Sequence, residues 1–78
     1  MQRFTPKQGQ YLAFISADMC MFGRPPADAD MQRYFDVTPP SVYQMVLTLE
    51  RNGLVKRAPG VARSIEILLA PEALPILR

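Results

Sequence analysis

Ser41, Tyr43 and Gln44 crowd into one short stretch of this 78-residue chain, and each bonds to another molecule in its own way. A glutamine amide presents a donor and an acceptor side by side, the pattern that pairs with the exposed edge of adenine. A serine hydroxyl pairs with several bases. A tyrosine stacks on a sugar or methyl group, or bonds a phosphate through its hydroxyl. Each good base contact contributes roughly 1–3 kcal/mol of discrimination. Cations stand nearby: Arg51 ends the same stretch, and Lys56, Arg57 and Arg63 flank the Pro59-Gly60 loop with no acid between them. Side chains of that kind hold phosphates and set the register of a protein on a duplex.

Other chemistries find little support. The chain has no histidine, so it has neither an imidazole base nor an imidazole metal ligand. Asp28 and Asp30 stand at the expected start of a helix, where the helix dipole explains two carboxylates better than acid–base catalysis does. Cys20 lies among Met19, Met21 and Phe22 and is expected to be a buried, inert thiol. Gly9, Gly23, Gly53 and Gly60 are isolated, so no glycine-rich phosphate loop is present. All but Gly9 have a capping or turn role at hand; the sequence supplies none for Gly9. No enzymatic activity, metal or cofactor is expected.

The elements that must position these side chains are legible from local signals. Thr5-Pro6-Lys7-Gln8 has the spacing of a capping box with proline in the first turn. Tyr11, Leu12, Ile15 and Met19 then recur at helical spacing, and Gly23 with Pro25-Pro26 predicts a stop near Met21 or Phe22. A compact second helix is predicted over about 28–35, with Met31, Tyr34 and Phe35 as its apolar face. Asp36-Val37 is a tight connection. Thr38 caps a third helix over about 38–52, which Pro39 starts and Asn52-Gly53 ends. Val42, Val46 and Leu49 form its core stripe, leaving Pro40, Ser41, Tyr43, Gln44, Leu47, Thr48 and Arg51 on other faces. Backbone N–H groups around Ser41 and Val42 are expected to help hold a phosphate, although Pro39 and Pro40 remove two donors.

Beyond Gly53 the period changes. Residues 54–57 read as a strand, 58–62 as a loop and 63–69 as a returning strand in which Ile65, Ile67 and Leu69 alternate with Ser64, Glu66 and Leu68. The tail 71–78 keeps Leu74, Ile76 and Leu77, and is expected to pack on the body or on a second copy. The fold class is therefore mainly α with a small β-hairpin: a winged helix-turn-helix, three helices followed by a two-stranded wing.

Size and composition bound the rest. Residues 1–78 allow one domain with a small core, and 49% apolar residues mark it as globular. A net charge of +2 leans only weakly towards polyanions. No apolar run approaches the roughly 20 residues of a membrane helix, and no secretion signal opens the chain. The single Cys20 excludes an internal disulfide, and a cytoplasmic location is expected.

The stretches TPKQGQYLAFI (5–15), GRPPADADMQRYF (23–35) and LERNGLVKR (49–57), with the ending SIEILL (64–69), carry a family resemblance. In order and spacing the chain resembles the N-terminal DNA-binding domain of the LexA repressor family as far as about Leu69, and MarR-type winged helices share the exit from the third helix. The resemblance implies a winged helix whose third helix reads the major groove of double-stranded DNA. By position it implies base-facing sites at Thr38, Pro40, Ser41, Tyr43 and Gln44. Members of that family carry a second domain with a serine–lysine self-cleavage site. The resemblance covers none of it, so neither cleavage nor damage-triggered release is carried over. Pro40 and Tyr43 stand where the family often has other polar residues, so its operator is not carried over either.

Two functions follow. The first is sequence-specific double-stranded DNA binding by a small transcriptional regulator, such as a repressor. Base contacts come from Ser41, Tyr43 and Gln44, and phosphate contacts from Arg51, Lys56, Arg57 and Arg63, with Lys7 and Arg24 as lesser contributors. A homodimer through the first helix or the apolar tail would double its small reading surface. The alternative is a winged-helix protein-interaction module without nucleic acid, which a third helix lacking cations before Arg51 and exposing Tyr43 and Leu47 would suit. A capped amphipathic helix is, besides, an ordinary structural element.

Overall fold

The computed structural model describes residues 4–78. The first three residues of the expected domain lie outside the described residues. Three helices come first: α1 (Pro6–Phe22), α2 (Asp28–Phe35) and α3 (Pro39–Arg51). Two short strands follow, β1 (Val55–Lys56) and β2 (Glu66–Ile67), paired antiparallel with Val55 opposite Ile67 and Lys56 opposite Glu66. This is the winged helix-turn-helix order. No helix of the described residues is long and apolar enough to cross a membrane.

Local chemistry sets the helix ends. The Gln8 amide N–H donates to Thr5 Oγ1 at 3.1 Å, and the Thr5 N–H donates to Gln8 Oε1 at 3.0 Å, so the capping box closes in both directions. Gly23, at φ 71°, stops α1 by donating to the Met19 carbonyl. α3 leaves through a Schellman turn. The Leu54 N–H reaches the Leu49 carbonyl at 2.9 Å and the Gly53 N–H reaches Glu50 at 3.0 Å, with Gly53 at φ 74°. Leu49 and Leu54, the apolar pair that accompanies such a turn, are both fully buried.

The core gathers Tyr11, Leu12 and Ile15 of α1, Met31 of α2, Val42, Val46 and Leu49 of α3, and Leu54, Val55 and Ile65 from the wing. Aromatic rings bind the first two helices together: Tyr11 stacks on Phe35 with centroids 4.0 Å apart, and Phe14 lies 4.5 Å from Tyr34. Two expectations for α1 fail. Met19 is exposed rather than part of the core stripe, and Cys20 is an exposed free thiol. Met21 and Phe22 at the end of α1 are also exposed.

The wing strands are shorter than predicted. Arg63 adopts φ 54°, a left-handed conformation that cannot continue a strand. Ser64 Oγ accepts from the Ala58 N–H at 3.1 Å and donates to the Val61 carbonyl at 2.8 Å. A side chain therefore closes the loop where ladder bonds were expected. One further bond, Leu68 N–H to the Leu54 carbonyl at 2.9 Å, extends the pairing at its base.

The tail packs on the body of its own chain. After a short 3₁₀ turn at Pro71–Ala73, Leu74 and Leu77 lie partly buried against the core. The Gln10 amide donates to the Ile76 carbonyl at 3.0 Å and accepts from the Arg78 N–H at 2.8 Å, and the Tyr34 hydroxyl donates to the Arg78 carbonyl. This docking accounts for Gly9. A Cβ there would stand 2.9 Å from the Phe4 ring and 3.0 Å from Pro75 Cγ.

Candidate nucleic-acid interface

The first turns of α3 present Pro39, Pro40, Ser41, Tyr43 and Gln44 to the outside, while Val42 and Val46 are fully buried beneath them. Thr38 stands at the N-cap position, but its hydroxyl meets the Ser41 hydroxyl at 3.1 Å rather than a backbone N–H. The Thr38 carbonyl accepts from the N–H groups of Ser41 at 3.0 Å and Val42 at 3.3 Å. The phosphate cradle expected from those N–H groups is therefore not formed, because both are already used and the two preceding residues are prolines. Polar contacts at this end of α3 fall to side chains.

Packing supplies a cation that the first turns of α3 lack. Lys7 and Gln8, at the start of α1, line a shallow groove with Pro40, Ser41, Gln44 and Thr48. Lys7 is exposed. This juxtaposition is invisible in the sequence because a whole helix separates the two segments. On the other side of α3 the Arg57 guanidinium lies 5.7 Å from the Tyr43 ring centroid, in the range of a cation–π contact. Tyr43, Leu47 and Arg57 share a cleft of about 740 Å³ between α3, the start of α2 and the wing loop. Leu47 is half-buried there rather than exposed.

Each wing cation has a carboxylate partner. Lys56 Nζ lies 3.7 Å from Glu66 across the strand pair. Arg57 Nη1 is 4.0 Å from Asp28. Arg63 Nη1 is 3.2 Å from Asp30 and also donates to the Pro25 carbonyl at 3.3 Å. The sequence does separate these acids from the loop, and the fold returns them to it. Their first-turn position in α2 gave a dipole reading that hid the pairing; the opposite charge of the wing was the signal. Arg51 is exposed at the far end of α3. The fold thus brings Ser41 and Gln44 beside Lys7, and Tyr43 beside Arg57, whereas Arg63 turns towards α2.

Asp30 is the most strongly perturbed acid of this surface. The hydrogen bond it accepts from the Ala27 N–H, at 2.9 Å, holds its carboxyl below the usual carboxylate range; burial opposes this, and the charges of Arg63 and Arg33 add to the lowering.

Comparison with known proteins agrees with the winged helix-turn-helix fold. A family model described as the LexA DNA binding domain matches residues 1–64. The LexA repressor of Thermosipho africanus is 33% identical over 76 residues, 97% of this chain. The chain spans 38% of the length of that curated relative.

Proposed function

Since this chain belongs to the LexA DNA-binding domain family, we propose that it binds double-stranded DNA sequence-specifically as the reading module of a transcriptional regulator. The matching family model describes a DNA-binding domain. In this reading α3 enters the major groove, Ser41, Tyr43 and Gln44 meet base edges, and Thr38 and Pro40 line the approach. Lys7 and Arg51 hold phosphates along α3, and Lys56 and Arg57 do so from the wing. Arg63 contributes mainly by fixing the base of the wing. Residues 1–78 act as one domain, and two copies pair on DNA to read adjoining half-sites.

The observation that carries this reading is the flank of the uncharged side chains on α3. Lys7 stands on one side of them and Arg57 on the other. A duplex laid on that face meets cations at both edges and hydrogen-bonding groups between them.

Selection of bound sequences from random duplex DNA tests the proposal, because it reads binding and specificity together. A recovered consensus is expected. Gln44→Ala and Tyr43→Ala should alter that consensus more than overall affinity; uniform weakening on every sequence would remove them from the reading role. Failure to recover any duplex at low salt would leave the protein-interaction reading in its place.

A further inference from the structure

The two acids that open α2 reach across to different wing cations, and the two pairs are built differently. Asp30 and Arg63 belong to a closed network. The Asp30 carboxylate also accepts from the Ala27 N–H and from Arg33, and Arg63 also donates to the Pro25 carbonyl. Removing Asp30 would uncap α2 and loosen the wing base. The Asp28–Arg57 pair has no such support. Its charges stand 4.0 Å apart with the Asp28 side chain half exposed, and the guanidinium rests over Tyr43. One contact at 4.0 Å, with a largely covered guanidinium and the Asp28 carboxylate open to solvent, holds the two charges weakly, so a DNA phosphate can displace the carboxylate.

The geometry points to Asp28 as a specificity-determining residue that acts through Arg57: its carboxylate occupies the guanidinium in the free chain and yields it to a phosphate when the duplex is seated. This inference rests on the DNA-binding reading and deepens it. A duplex that engages the surface loosely gains less from Arg57 while Asp28 stays paired with it. A duplex seated against Tyr43 brings a phosphate to the guanidinium that rests over that ring. Asp28 thereby lowers indiscriminate binding more than it lowers binding to the correct site.

A double-mutant cycle on the full chain tests this, using Asp28→Asn, Arg57→Ala and the pair, each titrated over a salt range against mixed-sequence duplex and against a selected duplex. Asp28→Asn is expected to raise affinity for mixed-sequence DNA by about two- to fivefold, the worth of an exposed ion pair. It should also steepen log K against log salt by about 0.9, one added phosphate contact. The gain on the selected duplex should be smaller, and both gains should vanish in the Arg57→Ala background. Thermal melts accompany each variant, and Arg57→Gln replaces Arg57→Ala if the latter melts early. An equal gain without Arg57 would mean only that a negative charge near the DNA had been removed, and would overturn the inference. So would a gain without a change in slope, or no gain. Wild-type binding with a silent Asp28→Asn overturns this inference alone, whereas no binding by either chain overturns the DNA-binding reading with it.

Discussion

Asp30 joins three parts of the chain through one carboxylate: the backbone before α2, the end of that helix through Arg33, and the wing through Arg63. Its lowered pKa has a defined consequence for stability. A carboxyl whose folded pKa lies below its unfolded value stabilises the fold above the unfolded pKa, near 4, and loses that contribution as pH falls through the folded pKa. The wild-type melting temperature should therefore drop on acidification below about pH 4. Asp30→Asn should lower it at neutral pH and flatten the acid limb; an unchanged acid limb would rule Asp30 out as its source. Gly9 makes a different local demand. Gly9→Ala improves helix propensity by up to about 1 kcal/mol, yet the added methyl must push aside the Phe4 ring and Pro75. Faster amide exchange at Arg78, whose N–H is held by Gln10, is the expected sign. Unaltered exchange there would mean the tail accommodates the methyl.

At the level of elements, the exit from α3 is set by Gly53 in the left-handed region. Gly53→Ala should cost about 1–2 kcal/mol, the penalty of a Cβ in that conformation, read as a lower denaturation midpoint with an unchanged slope. A neutral result would mean the turn relaxes to another form. The elements legible in the sequence are those fixed within a few residues: the Thr5–Gln8 box, the glycine stops at Gly23 and Gly53, and the Val42–Val46–Leu49 stripe. What was misread depends on distance in space. Periodicity shows which face of α1 is apolar but not how far the body extends beneath it, so Met19 and Cys20 read as interior although both are exposed. The alternation Ile65–Ile67–Leu69 is genuine, but the left-handed Arg63 and the Ser64 hydroxyl decide how much of it pairs. The partners of Arg57 and Arg63 lie on another helix, and only the packed chain reveals that the wing cations are not free.

For the molecule as a whole, the docked tail narrows where a second copy can meet the first. Leu74 and Leu77 are used against the core, while Met21, Phe22 and Ile76 are among the most outward apolar groups of the described residues. If two copies pair through the exposed end of α1, Met21→Ser with Phe22→Ser should abolish the dimer in sedimentation while leaving the melting temperature within a few degrees, since both side chains are exposed. A monomer with and without DNA would end the half-site picture. The prolines that begin α3 carry a last consequence. With the Ser41 and Val42 N–H groups bonded to the Thr38 carbonyl and two prolines before them, the contact chemistry of this surface rests on a handful of outward side chains over a buried stripe. Such a surface behaves like an interchangeable printing plate on a fixed press. New target sequences are open to substitution at Ser41, Tyr43 and Gln44, at little risk to the fold that carries them.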